Sequence, residues 1–188
     1  MSQHAASRVA VSLPSLRVGT LTSELIDEIR KVRKTGFTLA PEAGSERMRR
    51  VINKGISEQD LLDGAYNIYA AGWRMIKLYF MMGLPTETWD DLQAIPDLAR
   101  QVKNQARRAG GQGEVNVAVS TFVPKPHTPF QWQRQLSLDE TRERQRFLKD
   151  EMRRRKLNFK YQYAELSFME GVIARGDRRL AAVCERVV

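Results

Sequence analysis

The stretch Leu78-Tyr-Phe-Met-Met-Gly-Leu-Pro-Thr-Glu-Thr-Trp-Asp-Asp-Leu92 changes character at its middle. Five apolar residues run into Gly83, and Pro85-Thr86-Glu87 follows at once. A short apolar run bounded by Gly and Pro reads as a buried strand that stops at a turn. Thr86 or Thr88 then caps a helix whose inner face is Leu92, Ile95, Leu98 and Val102. Pro96 is expected to kink or divide that helix, because its ring removes a donor and crowds the preceding turn.

Outward from this stretch the same order repeats. β-like runs at Val9–Leu13, Gly36–Ala40 and Val115–Phe122 join Met75–Met82 to make four. Thr22 caps a helix with Leu25, Ile26, Ile29 and Val32 on one face. Ser45 starts a short helix carrying Met48, Val51 and Ile52, with Gly55 as its stop. Ser57 and Asp60 have the spacing of a capping box. They open a helix with Leu61, Leu62, Ala65, Ile68 and Tyr69 inward, closed by Gly72. Ser137 and Glu140 repeat that box before a helix whose Leu138, Leu148 and Met152 face the core and whose other face is very basic. Tyr161–Tyr163 reads as an edge strand, and Leu180, Val183, Cys184 and Val187 as a last helix. Strands alternating with helices mean an α/β fold with a parallel sheet. Residues 1–136 would carry the four strand–helix units, and residues 137–188 a basic helix and an extension packed on the same domain.

Composition narrows the function classes. No apolar run approaches the roughly 18 residues that span a bilayer. Met1–Ala10 has no charged leader followed by a long apolar stretch, so a cytoplasmic location is expected. The chain has one cysteine, Cys184, and two histidines, His4 and His127, far apart in sequence. That inventory disfavours an internal disulfide, an iron–sulfur cluster or a zinc site built from this chain alone. Lys and Arg number 31 against 22 Asp and Glu, a net charge of +9, which favours anionic partners such as RNA or another polyanion. The basic groups concentrate at Arg142–Lys160, Arg47–Arg50 and Lys103–Arg108 without aromatic residues interleaved in the manner of a stacking platform, so solvated helix faces compete with a polyanion contact as their explanation.

Parallel strands deliver their C-terminal ends to one edge, where α/β folds bind ligands. The four ends read Leu13-Pro-Ser-Leu-Arg17, Leu39-Ala-Pro-Glu-Ala-Gly44, Met82-Gly-Leu-Pro-Thr-Glu87 and Phe122-Val-Pro-Lys-Pro-His127. Each has a proline that helps end the ladder and a polar group beside it: Ser15 and Arg17, Glu42, Thr86 and Glu87, or Lys125. Ordinary turn and cap chemistry explains any one of them. Gly83, without a Cβ, admits a ligand or a neighbouring backbone. Met81 and Met82 alternate across the sheet, so one of them can pack against a flat apolar ring. Glu87 suits the positive end of a helix. Glu42, directly after Pro41, is placed to accept hydrogen bonds from hydroxyl groups or an ammonium.

Taken together, Val11-Ser-Leu-Pro-Ser-Leu-Arg-Val-Gly-Thr-Leu-Thr22, Lys34-Thr-Gly-Phe-Thr-Leu-Ala-Pro-Glu-Ala-Gly44, Val51-Ile-Asn-Lys-Gly55, Ile76-Lys-Leu-Tyr-Phe-Met-Met-Gly-Leu-Pro-Thr-Glu-Thr88 and Val119-Ser-Thr-Phe-Val-Pro-Lys-Pro-His-Thr-Pro-Phe-Gln-Trp132 resemble the radical S-adenosylmethionine (radical SAM) superfamily. Ser167-Phe-Met-Glu-Gly171 and Ala174-Arg-Gly-Asp-Arg-Arg178 fit the same pattern. The nearer likeness is to Fe–S oxidoreductase-like proteins often fused to a cobalamin-binding-type domain. The resemblance implies a partial (β/α)6 barrel of the TIM type. It implies Ser15 and Arg17 at the third strand end, and Glu42 at the fourth, near the ribose and methionine parts of SAM. Gly83-Leu-Pro-Thr-Glu87 matches the glycine-rich fifth-strand motif that supports adenine. That brings Met81, Pro85, Thr86 and Glu87 into the cofactor-binding set. Val123 and Pro124 fall at the sixth strand, and His127 and Thr128 in a loop near the rim.

The sequence departs from the family in one respect. The superfamily ligates a [4Fe–4S] cluster through a CxxxCxxC loop after the first strand, and this chain has no such loop. The resemblance therefore implies an incomplete barrel lacking its first two strand–helix units, whose partner is an N-terminal cluster-bearing half. The alternative is a non-catalytic nucleotide- or RNA-binding module.

Overall fold

A computed structural model describes residues 36–186. The expected strand Val9–Leu13, the helix after Thr22, and Val187 lie outside the described residues. Four strands and six helices follow one another as β1 (Phe37–Glu42), α1 (Glu46–Val51), α2 (Glu58–Ala70), β2 (Met75–Met82), α3 (Trp89–Arg108), β3 (Glu114–Thr121), α4 (Leu138–Arg154), β4 (Asn158–Tyr161), α5 (Ala164–Arg175) and α6 (Leu180–Glu185). The strands pair in chain order, all parallel. Among the described residues the sheet is open, with β1 and β4 as its edges. An open parallel sheet flanked by helices is consistent with a partial (β/α) barrel.

Alternation along each strand sorts residues onto two faces. One face buries Leu39, Ile76, Leu78, Phe80, Val115 and Val117 against Leu61 and Ile68 of α2, Leu92, Leu98 and Val102 of α3, and Leu148 and Met152 of α4. Each such side chain withdrawn from water contributes about 1.5–3 kcal/mol. The other face presents Lys77, Tyr79, Ser120 and Lys160, all exposed.

Both expected capping boxes form, at Ser57/Asp60 and Ser137/Glu140, and a third forms at Thr88/Asp91, which makes Thr88 and not Thr86 the cap of α3. Four helices close with paired bonds from the two residues after the cap, as when Gly72 donates to Tyr69 and Trp73 to Ile68 after α2. Gly72 and Gly110 hold the left-handed position after α2 and α3, and Asn53 and Lys156 hold it after α1 and α4. Asn53, with φ 54°, therefore stops α1 instead of Gly55. A short polar side chain tolerates that conformation.

Three further expectations are corrected. Helix α3 runs undivided through Pro96, with Leu92, Ile95, Leu98 and Ala99 buried on either side of it. That packing outweighs a local cost of about 3 kcal/mol. The edge strand is Asn158–Tyr161, and Tyr163 instead precedes α5. Leu136, just before α4, is buried, while Leu138 is only half-buried.

Candidate functional site

The C-terminal ends of β1, β2 and β3 meet over a small apolar cluster. Ala43, Leu84 and Phe122 supply one residue from the end of each strand, Met48 adds one from α1, and Met81, Ile52 and Phe130 pack against them. Phe130 meets Phe122 edge-on at 6.1 Å between ring centroids. Met81 is half-buried on this layer, Val123 and Pro124 are buried, Pro85 is half-buried, and Thr86 is exposed. Eight of the expected site residues are thus at three adjacent strand ends: Glu42, Met81, Gly83, Pro85, Thr86, Glu87, Val123 and Pro124. Ser15 and Arg17 lie outside the described residues.

Glu42 ends β1 instead of following it. The register slips between Leu39 and Glu42, so that Glu42 pairs with Phe80 and adopts φ 68°. Its half-exposed carboxylate faces Lys54 Nζ at 3.4 Å. A carboxylate held by one lysine at that distance keeps acceptor capacity for a hydroxyl or an ammonium. Arg49, at 1% exposure, fixes the turn below by donating to the carbonyls of Ala43 (3.0 Å), Gly44 (2.8 Å) and Ile56 (3.0 Å). Burial lowers its pKa. The Arg47–Arg50 run is therefore not simply a solvated face.

Asp91, the third residue of α3, joins two helix starts. It accepts from Thr88 N (2.9 Å), Thr88 Oγ1 (2.7 Å), Ser45 Oγ (2.6 Å) and Arg47, whose Nη2 also reaches the Thr86 carbonyl at 2.7 Å. Burial pushes its pKa upward. Hydrogen bonds from Arg47, Ser45 and Thr88 outweigh that and hold it far below the usual carboxylate range. Sequence reading missed Asp91, although the Thr88-x-x-Asp91 spacing carries the signal. It also missed Arg144, which approaches from α4 without any local mark.

The turn after β2 closes on itself. Gly83 has φ +77° and donates its N–H to Glu87 Oε2 at 2.7 Å, while Glu87 N donates to Leu84 O at 3.0 Å. The Glu87 side chain is 4% exposed, and Arg144 Nε lies 3.9 Å away. Burial raises its pKa to about 7, against the lowering pull of Gly83, Arg144 and Leu84. Glu87 thus braces the glycine turn from inside and does not sit at the mouth of α3. A Cβ on Gly83 would come within 2.5 Å of Leu136 Cδ1, so a side chain occupies the approach that the glycine opens on that side. A cavity of about 180 Å³ between this turn, Gln133 and Arg144 is small beside the 300–1,000 Å³ of typical ligand sites. Lys125 pairs with Glu170 of α5 at 2.5 Å, and His127 is exposed in the loop that follows.

The site can therefore offer the Glu42 carboxylate and a thioether on an apolar layer, while the Gly83 amide is already taken by Glu87. An iron–sulfur cluster does not fit. The sequence has a single thiol, exposed on α6, and no group of three or more His, Cys, Asp or Glu is placed to hold a metal among the described residues. Among the described residues no helix is long and apolar enough to cross a membrane.

Residues 7–99 match the profile of the Radical SAM superfamily. Over 173 residues the chain is 32% identical to uncharacterized protein MJ0966 of Methanocaldococcus jannaschii, an alignment that takes in 92% of this chain and 36% of that protein. The chain thus spans about a third of the length of the curated relative it matches.

Proposed function

The chain belongs to the radical SAM superfamily, and from that membership we propose that it is the adenosyl-holding portion of a radical SAM enzyme. The reaction of the intact assembly is reductive cleavage of S-adenosylmethionine to a 5′-deoxyadenosyl radical. The electron for that step comes from a [4Fe–4S] cluster, which the residues of this chain cannot ligate, so a cluster-bearing half is the required partner. The observation that carries the reading is the convergence of Glu42, Met81 and Val123 at three adjacent strand ends around one apolar layer. Glu42 would accept from ribose or the methionine ammonium. Met81 would pack on adenine. Val123 and Pro124 would offer it backbone contacts. Ser15 and Arg17 would complete the polar contacts. A second reading, a nucleotide- or RNA-binding module without catalysis, is favoured by the net charge of +9.

The test is an anaerobic assay of the isolated chain after iron–sulfur reconstitution, with dithionite and SAM. No 5′-deoxyadenosine above a protein-free control is expected. Its formation would overturn the assignment of the cluster to another half.

A further inference from the structure

A second cavity lies at the other end of the sheet, where β3 and β4 begin. It encloses about 420 Å³ between the C-terminal halves of α3 and α4 and the segment Gln112–Glu114. Six cationic side chains line it, against one carboxylate: Arg100, Lys103, Arg107, Arg154, Arg155 and Lys156 face Glu114.

Part of this charge is already engaged. Glu114 binds Lys103 at 3.1 Å, while Arg154 pairs with Glu151 and Arg155 with Glu151 and Asp97. Two helices also end here, each bringing about half a negative charge. Arg100 and Lys103 answer that by donating to the carbonyls of Arg155 (2.8 Å) and Lys156 (3.1 Å). What remains is not accounted for by capping. Among the described residues Arg107 and Lys156 have no carboxylate partner, and with Asn104 and Gln112 they make no side-chain hydrogen bond. Four such donor side chains, two of them charged, line a concave volume of ligand size, Asn104 half-buried and Arg107, Gln112 and Lys156 exposed at its edge. A planar guanidinium, an ammonium and two amides together match the several acceptor oxygens of a phosphate.

We propose that this cavity is a phosphate-binding site, taking the phosphate of a free phosphoester such as a nucleotide or of an RNA strand. It is separate from the adenosyl site at the rim and does not depend on it. Arg107 and Lys156 are its primary ligands, Asn104 and Gln112 add neutral donors, and Arg100 and Lys103 set the local field.

The full chain would be titrated at fixed salt with pyrophosphate and, separately, with a short single-stranded RNA, followed by backbone amide NMR. Saturable shifts confined to Gly111–Glu114 and Lys156–Leu157 are expected. Arg107→Ala and Lys156→Ala should each weaken binding about tenfold, as expected for losing one charge-assisted contact. Arg178→Ala removes the same charge from outside the cavity and should leave binding unchanged. Tighter binding of pyrophosphate assigns the site to a free phosphoester, and tighter binding of RNA assigns it to a strand. Absence of saturable shifts with both probes would overturn the site. So would an equal loss in Arg178→Ala, since binding would then follow net charge alone.

Discussion

At the residue scale, Glu87 gives the clearest test of the rim. Its carboxyl is buried beside the Gly83 amide, and burial moves its pKa from 4.5 to about 7. A raised folded-state pKa means the native state binds the proton more tightly than the unfolded chain. The resulting stability is full below about pH 4.5 and is lost as pH rises through about 7. The loss should reach about 3 kcal/mol by pH 8. Glu87→Gln keeps an acceptor for Gly83 without the titration. Urea denaturation of both proteins from pH 5 to 8 should therefore show the wild type losing stability relative to the variant. Parallel profiles would mean the carboxyl titrates normally. In the sequence Glu87 was legible as a polar residue near a helix start and, by resemblance, as part of the adenine motif, but not as a buried carboxyl. Its burial depends on Leu136 and Arg144, which are about fifty residues away in sequence, and no local pattern carries that information.

At the element scale, two glycines decide how closely the strand ends pack. A Cβ on Gly44 would lie 2.4 Å from the Ile95 amide nitrogen and 2.6 Å from the Ala94 carbonyl carbon, so backbone of α3 blocks it. A Cβ on Gly83 meets only the far end of the Leu136 side chain, although its φ adds strain. Gly44→Ala should thus cost about 2–3 kcal/mol and Gly83→Ala about 1–2 kcal/mol. Leu136→Ala should reduce the cost of Gly83→Ala to its backbone part and leave Gly44→Ala unchanged. Equal costs, or rescue of both, would contradict these contacts. Periodicity and caps made β1, β2, β3 and the helices from α1 to α4 legible. β4 was misplaced because Asn158-Phe-Lys-Tyr161 has one half-buried apolar residue and no alternation. Pro96 misled because a residue-level penalty of about 3 kcal/mol is smaller than the burial of the turns around it.

At the scale of the whole molecule, the sheet separates two ends with different chemistry. The C-terminal rim gathers a carboxylate, an apolar layer and a left-handed glycine turn. The N-terminal end gathers six cationic side chains around a cavity, two of them unpaired among the described residues. The rim was legible in outline because β1, β2 and β3 each carry a Pro with a polar neighbour at their ends, a pattern that repeats along the chain. The cationic cavity was not, because it is assembled from residues 100–107, 112–114 and 154–156, which a linear reading sees as separate basic runs.

On the proposed reading, the rim holds an adenosyl group. Titration of the chain with S-adenosylhomocysteine, followed by backbone amide NMR, tests it most directly. Saturable shifts at Glu42, Met81–Leu84, Thr86, Glu87, Phe122 and Val123, weakened by Glu42→Ala, are the predicted result. Saturation without change at these amides, no saturation at all, or an affinity indifferent to Glu42→Ala would contradict it.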